Sequence, residues 1–165
     1  MTTGDNYLKS AKREFLAYKS LGERAMEQLD PEQLLYAKNE DSNSIANIVK
    51  HMHGNMLSRW TDFLTTDGEK TWRQSDGEFE QTITEKKEVL RLWEEGWNCL
   101  FAAIDPLNDQ QLLQTVYIRN EAHTVLEAIN RQLAHYSYHV GQIVFVAKEL
   151  KKAGWNSLTI PRKKA

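Results

Sequence analysis

Two histidines four residues apart, in the stretch Gln132-Leu-Ala-His135-Tyr-Ser-Tyr-His139-Val-Gly-Gln142, are the side chains of this sequence best placed to do chemistry. At 3.6 residues per turn they stand about 40° apart around a helix axis, so both imidazoles leave one face a turn apart, as a chelating pair must. Apolar residues at Leu126, Ile129, Leu133, Tyr136, Val140, Ile143, Val144, Ala147 and Leu150 recur at helical steps, so a rigid element is expected to carry both rings. A third ligand must then come from elsewhere. His51-Met-His53 offers two candidates on a second helical pattern. Their rings diverge by roughly 200° around the axis, so only one can readily face the pair. Periodicity leaves the choice open. His53 lies nearer the apolar arc of Val49, Met56 and Trp60, whereas His51 shares a polar row with Ser44, Asn55, Ser58 and Asp62. That row is either the wall of a wet pocket or the solvated back of a helix. His123, in a loop ahead of the last helix, is expected to be structural or exposed.

The elements that must position these rings follow from the same periodicity. Tyr7, Leu8, Ala11, Phe15, Tyr18, Leu21, Ala25 and Leu29 predict a first amphipathic helix over roughly 5–29, stopped by Asp30-Pro31. Pro31-Glu-Gln-Leu-Leu predicts a short connecting turn before the polar Asn39–Asn43 loop. A second helix is expected from Ile45 to about Thr65, with Ile45, Ile48, Met52, Met56, Trp60 and Phe63 on its stripe. A long polar loop carrying Trp72 and Arg73 runs between Asp67-Gly68 and Asp76-Gly77, and loops of this kind often cover a site. The third helix, roughly Ile83 to Ile104, is expected to bury Leu90, Trp93, Trp97, Leu100, Phe101 and Ile104. Thr124-Val-Leu-Glu127 reads as a capping box that opens the fourth helix, which runs to about Lys152 and is terminated by Gly154. Leu29-Asp-Pro-Glu-Gln-Leu-Leu and Ile104-Asp-Pro-Leu-Asn-Asp-Gln-Gln-Leu-Leu occupy matching places in the two halves, which hints at a duplicated helical pair. No strand of any length competes, so the fold class is all-α, four helices burying their stripes against one another as a bundle.

Bulk properties bound the function. A chain of 165 residues suffices for one domain, taken as 1–165. A formal net charge of -2 with both signs interspersed gives no reason to expect nucleic acid as a partner. The basic ends Lys151-Lys152 and Arg162-Lys163-Lys164 read as a solvated helix end and tail. The N-terminus has neither a basic start nor an apolar core, and the longest apolar run, Ile143–Ala147, is far below membrane-spanning length, so a soluble cytoplasmic protein without a membrane partner is expected. Cys99 alone can form no intramolecular disulfide, in keeping with a reducing compartment. Beside Trp97, Leu100 and Phe101 it reads as a small buried hydrophobe rather than a nucleophile.

Ser44-Ile-Ala-Asn-Ile-Val-Lys-His51, the segment Trp60-Thr-Asp-Phe-Leu-Thr-Thr-Asp-Gly-Glu-Lys70 and His135-Tyr-Ser-Tyr-His139-Val-Gly-Gln142 together resemble the DinB/YfiT-like superfamily of metalloenzymes, over nearly the whole chain. The resemblance implies a four-helix bundle of DinB/YfiT type, a divalent metal held by one histidine of the second helix and two of the fourth, and a homodimer. Carried over position by position, the ligands become His51, His135 and His139, and His53 is a neighbour the family pattern does not ask for. Characterised relatives include bacillithiol S-transferases and mycothiol-dependent maleylpyruvate isomerase. The implied activity is metal-dependent transfer of a low-molecular-weight thiol onto an electrophilic small molecule, with hydrolysis as the other chemistry open to a three-histidine ion. Imidazole ligands suit zinc, nickel, copper and iron, with zinc or nickel the leading expectation. Asn55, one turn after His51, and Gln142, three residues after His139, are candidates to orient water or substrate, and Arg73 to meet a substrate carboxylate. The rival expectation is a non-catalytic metal- or ligand-binding bundle, which a fourth protein ligand closing the coordination shell would mark.

Overall fold

Thr2 opens the first helix by a reciprocal cap, its hydroxyl accepting from the Asp5 N–H at 3.0 Å while the Asp5 carboxylate accepts from the Thr2 N–H at 2.9 Å. The structure, a computed structural model, describes residues 1–160, so the basic tail Arg162-Lys163-Lys164 lies outside the described residues. Helix α1 spans Thr3–Glu27 and is followed by the short α2, Pro31–Leu35, whose N-cap Asp30 donates its backbone N–H to Gln33 Oε1 at 3.0 Å. Helix α3, Ile45–Trp60, starts on the Ser44 hydroxyl, which accepts from the Asn47 N–H at 3.1 Å. It stops short of the expected Thr65 because Thr61 is extended and Asp62 takes a φ of 49°. The carbonyl of Asp62 then collects the N–H groups of both Thr65 and Thr66. Helix α4 spans Lys86–Ile104, and α5, Val125–Lys151, opens on the expected box between Thr124 and Glu127. The exit from α5 differs from expectation, since Lys152 at φ 52° ends it and no described glycine has a positive φ.

Helix α3 packs along α4 and α1 along α5. One aromatic ring from each of the four long helices meets at the centre: Phe15 lies 6.3 Å from both Trp60 and Trp97, and Trp97 lies 5.8 Å from Tyr136. All four are buried, and edge-on contact lets each ring edge meet a neighbour's π face. Gly22 on α1 lets Trp93 close against it, since a Cβ there would stand 2.5 Å from the indole. On α4 the buried face is Val89, Leu92, Trp93, Gly96, Trp97, Leu100 and Ile104. Leu90 sits about 100° from Val89 around the axis and is 39% exposed, contrary to expectation. Among the described residues no helix is long and apolar enough to cross a membrane.

The expectation that the chain holds no strand is corrected. β1 (Thr115–Ile118) and β2 (Glu121–Thr124) form an antiparallel hairpin between α4 and α5. Its two-residue turn places Arg119 and Asn120 at φ 55° and 62°, the mirror-image geometry in which glycine is the usual signal. Asp67 supports that turn from a distance, its carboxylate accepting the N–H groups of Arg119 at 2.9 Å and Asn120 at 2.8 Å. The Gly68 N–H adds a bond to Tyr117 O at 2.8 Å, so the long loop and the hairpin hold each other. Removing this carboxylate in Asp67→Ala is expected to cost about 1 kcal/mol and to speed amide exchange at Arg119 and Asn120 while leaving the helices protected. Unchanged exchange at those two amides would show that the hairpin does not lean on Asp67.

Candidate metal centre

The two histidine-bearing helices present matching stripes at four-residue steps: His51, Asn55 and Arg59 on α3, and Arg131, His135 and His139 on α5. The polar row of α3 therefore faces inward along the helix, with Ser44, Asn55, Ser58 and Arg59 buried, whereas Asp62, past the helix end, is exposed. His51 meets the pair on α5, its Nε2 lying 3.3 Å from His135 Nε2, which is in turn 3.1 Å from His139 Nε2. One nitrogen from each of the three rings lies within 4.8 Å of the others, and no carboxylate or thiol of the described residues joins the group. His53 leaves the other side of the helix and pairs with Glu95 of α4 at 3.3 Å.

The opposite ring nitrogens decide what the three Nε2 atoms can do. His51 donates from Nδ1 to Glu78 Oε2 at 2.9 Å, and His139 donates from Nδ1 to Gln142 Oε1 at 2.8 Å. In the neutral rings both Nε2 atoms then carry lone pairs, and both point at His135. His135 has at most one Nε2 proton and can satisfy only one of them. A cation satisfies all three, and the two spacings that His135 makes, 3.3 Å to His51 and 3.1 Å to His139, match the edge of roughly 3.3 Å that bonds of ~2.0–2.1 Å to zinc subtend in a tetrahedron, with all three nitrogens within 4.8 Å of one another. The residues present therefore fit a divalent ion.

Glu78 is the residue of this site that the sequence reading missed. It is buried in a 3-10 turn, Asp76–Phe79, and is gripped by Arg73 through Nε at 2.8 Å and Nη2 at 2.9 Å. Burial raises the pKa of its carboxyl, and the bonds from Arg73 and His51 more than offset that, so the group sits below the usual range and stays ionised. Gly54, one turn from Lys50 on α3, makes the approach possible, because a Cβ there would stand 2.2 Å from Glu78 Oε1. The stretch Asp76-Gly-Glu78 held a usable signal, a carboxylate following a turn in a loop expected near the site. Its reach to His51 required the loop's path, which Asn47 Nδ2 sets by donating to Phe79 O at 2.9 Å.

Burial and the charges of the neighbouring imidazoles push the pKa of His135 down to about 3. Burial pushes that of His139 down to about 4, with the bond to Gln142 opposing it. Both rings are thus neutral at ordinary pH, the form in which an imidazole can hold a metal ion. A cavity of about 360 Å³ opens beside them, lined in part by His51, Asn55, Arg73 and His135, so the long loop leaves the site open instead of covering it. Asn55 lines this cavity with its Oδ1 accepting from Tyr136 Oη at 3.0 Å, and Tyr136 in turn accepts from Trp60 Nε1 at 3.0 Å. Gln142 stands on the outer side of His139. Arg73 reaches the cavity wall, but its Nε and Nη2 are committed to Glu78. His123 lies half-buried on β2, and Cys99 is half-buried with its thiol pKa raised by burial.

A model of the family described as "Protein of unknown function (DUF1572)" matches residues 2–164. A search of curated proteins found no match.

Two outcomes follow from this geometry. Gly54→Ala and Glu78→Gln should each weaken divalent-cation binding by about 10–100-fold in a chelator competition, because both remove the ionised acceptor behind His51. Equal affinity in all three proteins would show that Glu78 does not tune the site. His135 and His139 have folded pKa values below the unfolded value of about 6.5, so the unfolded chain binds more protons as pH falls. Metal-free protein should keep this stability above about pH 6.5 and lose it progressively toward about pH 3, seen as a falling urea midpoint. His135→Gln should flatten that slope; a slope identical to wild type would contradict the assignment.

Proposed function

This chain belongs to the DUF1572 family, and we propose that it is a divalent-metal-binding, metal-dependent transferase that joins a low-molecular-weight thiol to an electrophilic small molecule. The observation that carries the reading is the convergence of the His51, His135 and His139 Nε2 atoms beside an open cavity, with no fourth acidic or thiol ligand among the described residues. Structural metal sites are closed by four protein ligands, whereas a catalytic one keeps a position for a visitor. The pairing of α1 with α5 and α3 with α4, with His51 of α3 facing His135 and His139 of α5, supports reading the fold as the DinB/YfiT-type four-helix bundle. The resemblance to that superfamily supports the thiol as co-substrate, a homodimer, and zinc or nickel as the ion; the lone Cys99 supports a cytoplasmic setting.

The protein's own groups have definable tasks. His51, His135 and His139 hold the ion, which when bound supplies Lewis acidity that makes a thiol or a water a stronger nucleophile at neutral pH. Glu78 keeps the His51 Nδ1 protonated and its Nε2 free, and Gln142 does the same for His139. Asn55 is held by Tyr136 with its amide nitrogen left over as a donor on the cavity wall, where it orients a bound molecule. In the transfer, a sulfur–carbon bond forms as the bond from that carbon to its leaving group breaks. The leaving group takes the bonding electron pair, and the thiol proton passes to solvent.

Hydrolysis is the second reading, favoured by the same open cavity, and it requires only water as the nucleophile. Protein purified from metal-supplemented medium should contain a stoichiometric divalent ion and consume thiol with at least one of a broad set of electrophiles. In His139→Ala that consumption should fall by more than the roughly 10–100-fold that loss of an outer hydrogen-bond partner costs. Cleavage without thiol would select the hydrolase. A metal-loaded protein that consumes no thiol, cleaves no ester and behaves like His139→Ala would reduce the site to a non-catalytic metal- or ligand-binding bundle.

A further inference from the structure

The cavity beside the histidines is walled by four arginines drawn from four different elements: Arg59 of α3, Arg73 of the long loop, Arg119 of the hairpin turn and Arg131 of α5. Among the described residues two carboxylates pair with their guanidinium groups, and Asp67 adds a third negative charge at the hairpin turn, accepting the Arg119 backbone N–H. Glu78 is taken by Arg73 through a two-point contact. Glu69 is divided, lying 3.0 Å from Arg59 Nη1, 3.2 Å from Arg119 Nε and 3.7 Å from Arg73 Nη1. Arg131 has no carboxylate partner among the described residues. The wall therefore carries a surplus of positive charge before any cation is counted.

The donors are also unevenly used. Arg59 is only 4% exposed, and its Nη1 is spent on Glu69 and on the Gly68 carbonyl. Its Nε has no acceptor among the described residues, an uncommon state for a buried guanidinium. Asn55 offers its amide N–H groups on the same wall, since Tyr136 occupies its oxygen. A planar guanidinium fork matches two oxygens of a carboxylate or phosphate, and a partly desolvated pocket strengthens such charge-assisted bonds. Arg59 stands eight residues beyond His51 on α3 and Arg131 four before His135 on α5, so the helices that carry the imidazoles also carry the guanidinium groups.

We propose that this cavity is an oxyanion pocket: the small molecule processed at the three histidines carries a carboxylate or phosphate group that Arg59, Arg119 and Arg131 bind, leaving its reactive end toward His51 and His135. Arg73 is the positioning residue of the set, acting through Glu78 on His51. The proposal rests on reading the histidines as a metal centre for small-molecule chemistry and names the substrate class of that site.

Inorganic phosphate and succinate, titrated calorimetrically at low ionic strength into the metal-loaded and the metal-free full chain, separate the two ideas. At least one of these anions should bind wild type saturably in both forms. In the Arg119→Gln/Arg131→Gln protein its affinity should drop about tenfold or more, as expected for lost hydrogen bonds to a charged group, while cation affinity stays at the wild-type value. Both substituted residues are exposed, so the fold should be retained, with thermal unfolding as the control. Which anion binds tells phosphate from carboxylate recognition. Absence of binding by wild type, or equal affinity in the double variant, overturns the pocket. Anion binding confined to the metal-loaded form and indifferent to the substitutions also overturns it, and leaves the metal centre standing. Arginine-dependent anion binding in a chain that takes up no cation upholds the pocket and removes the metal reading instead.

Discussion

The hydrogen bond from His51 Nδ1 to Glu78 is the interaction on which the site turns, because it decides which nitrogen of that ring has a lone pair to offer. Its geometry depends on two other residues. Arg73 keeps the buried carboxylate ionised, and Gly54 leaves the space that the carboxylate occupies. Behind these stands the loop itself, tied to α3 through the Ser58 hydroxyl, which donates to Gly68 O at 2.8 Å and accepts from the Lys70 N–H at 3.0 Å. A long polar loop, which costs conformational entropy to order, is thus held by side chains of the helix that bears His51.

The core and the site are joined through Tyr136. Its ring belongs to the aromatic cluster of the four long helices, while its hydroxyl links Trp60 to Asn55 on the cavity wall. Burial drives its pKa well up, so the hydroxyl remains a donor to Asn55 at any pH the protein meets. The neighbouring His135 on the same helix inherits this rigidity. Polar groups held in a densely packed interior have one arrangement available, which is the preorganisation that ligand sites require.

The charge distribution around the histidines has a common origin with their placement. On α3 and α5 a four-residue stride puts an arginine on the face that already carries an imidazole. Helical periodicity alone leaves the α3 row as either wet wall or solvated back. Arg59 lay on that row without being singled out, because one strand of pattern cannot tell a buried guanidinium from a surface one. Arg119 depends on a hairpin that was absent from the expectation: four-residue strands and an Arg-Asn turn lack the glycine that usually marks such a connection, and Asp67 supplies the support from far along the chain.

The sequence alone determined what depends on neighbours within a turn or two: the long helices and most of their ends, the short turn at Pro31, the reciprocal cap at Thr124, and the shared face of His135 and His139. Those features follow from local hydrogen bonding and helical period, so nearby residues suffice to specify them. Which of His51 and His53 meets that pair, where Glu78 and Arg73 go, and that arginines from separate elements share one cavity were decided only by tertiary structure. Each of these depends on how helices rotate and loops travel when apolar faces are buried against one another, and that is set by the packing of residues far apart in sequence.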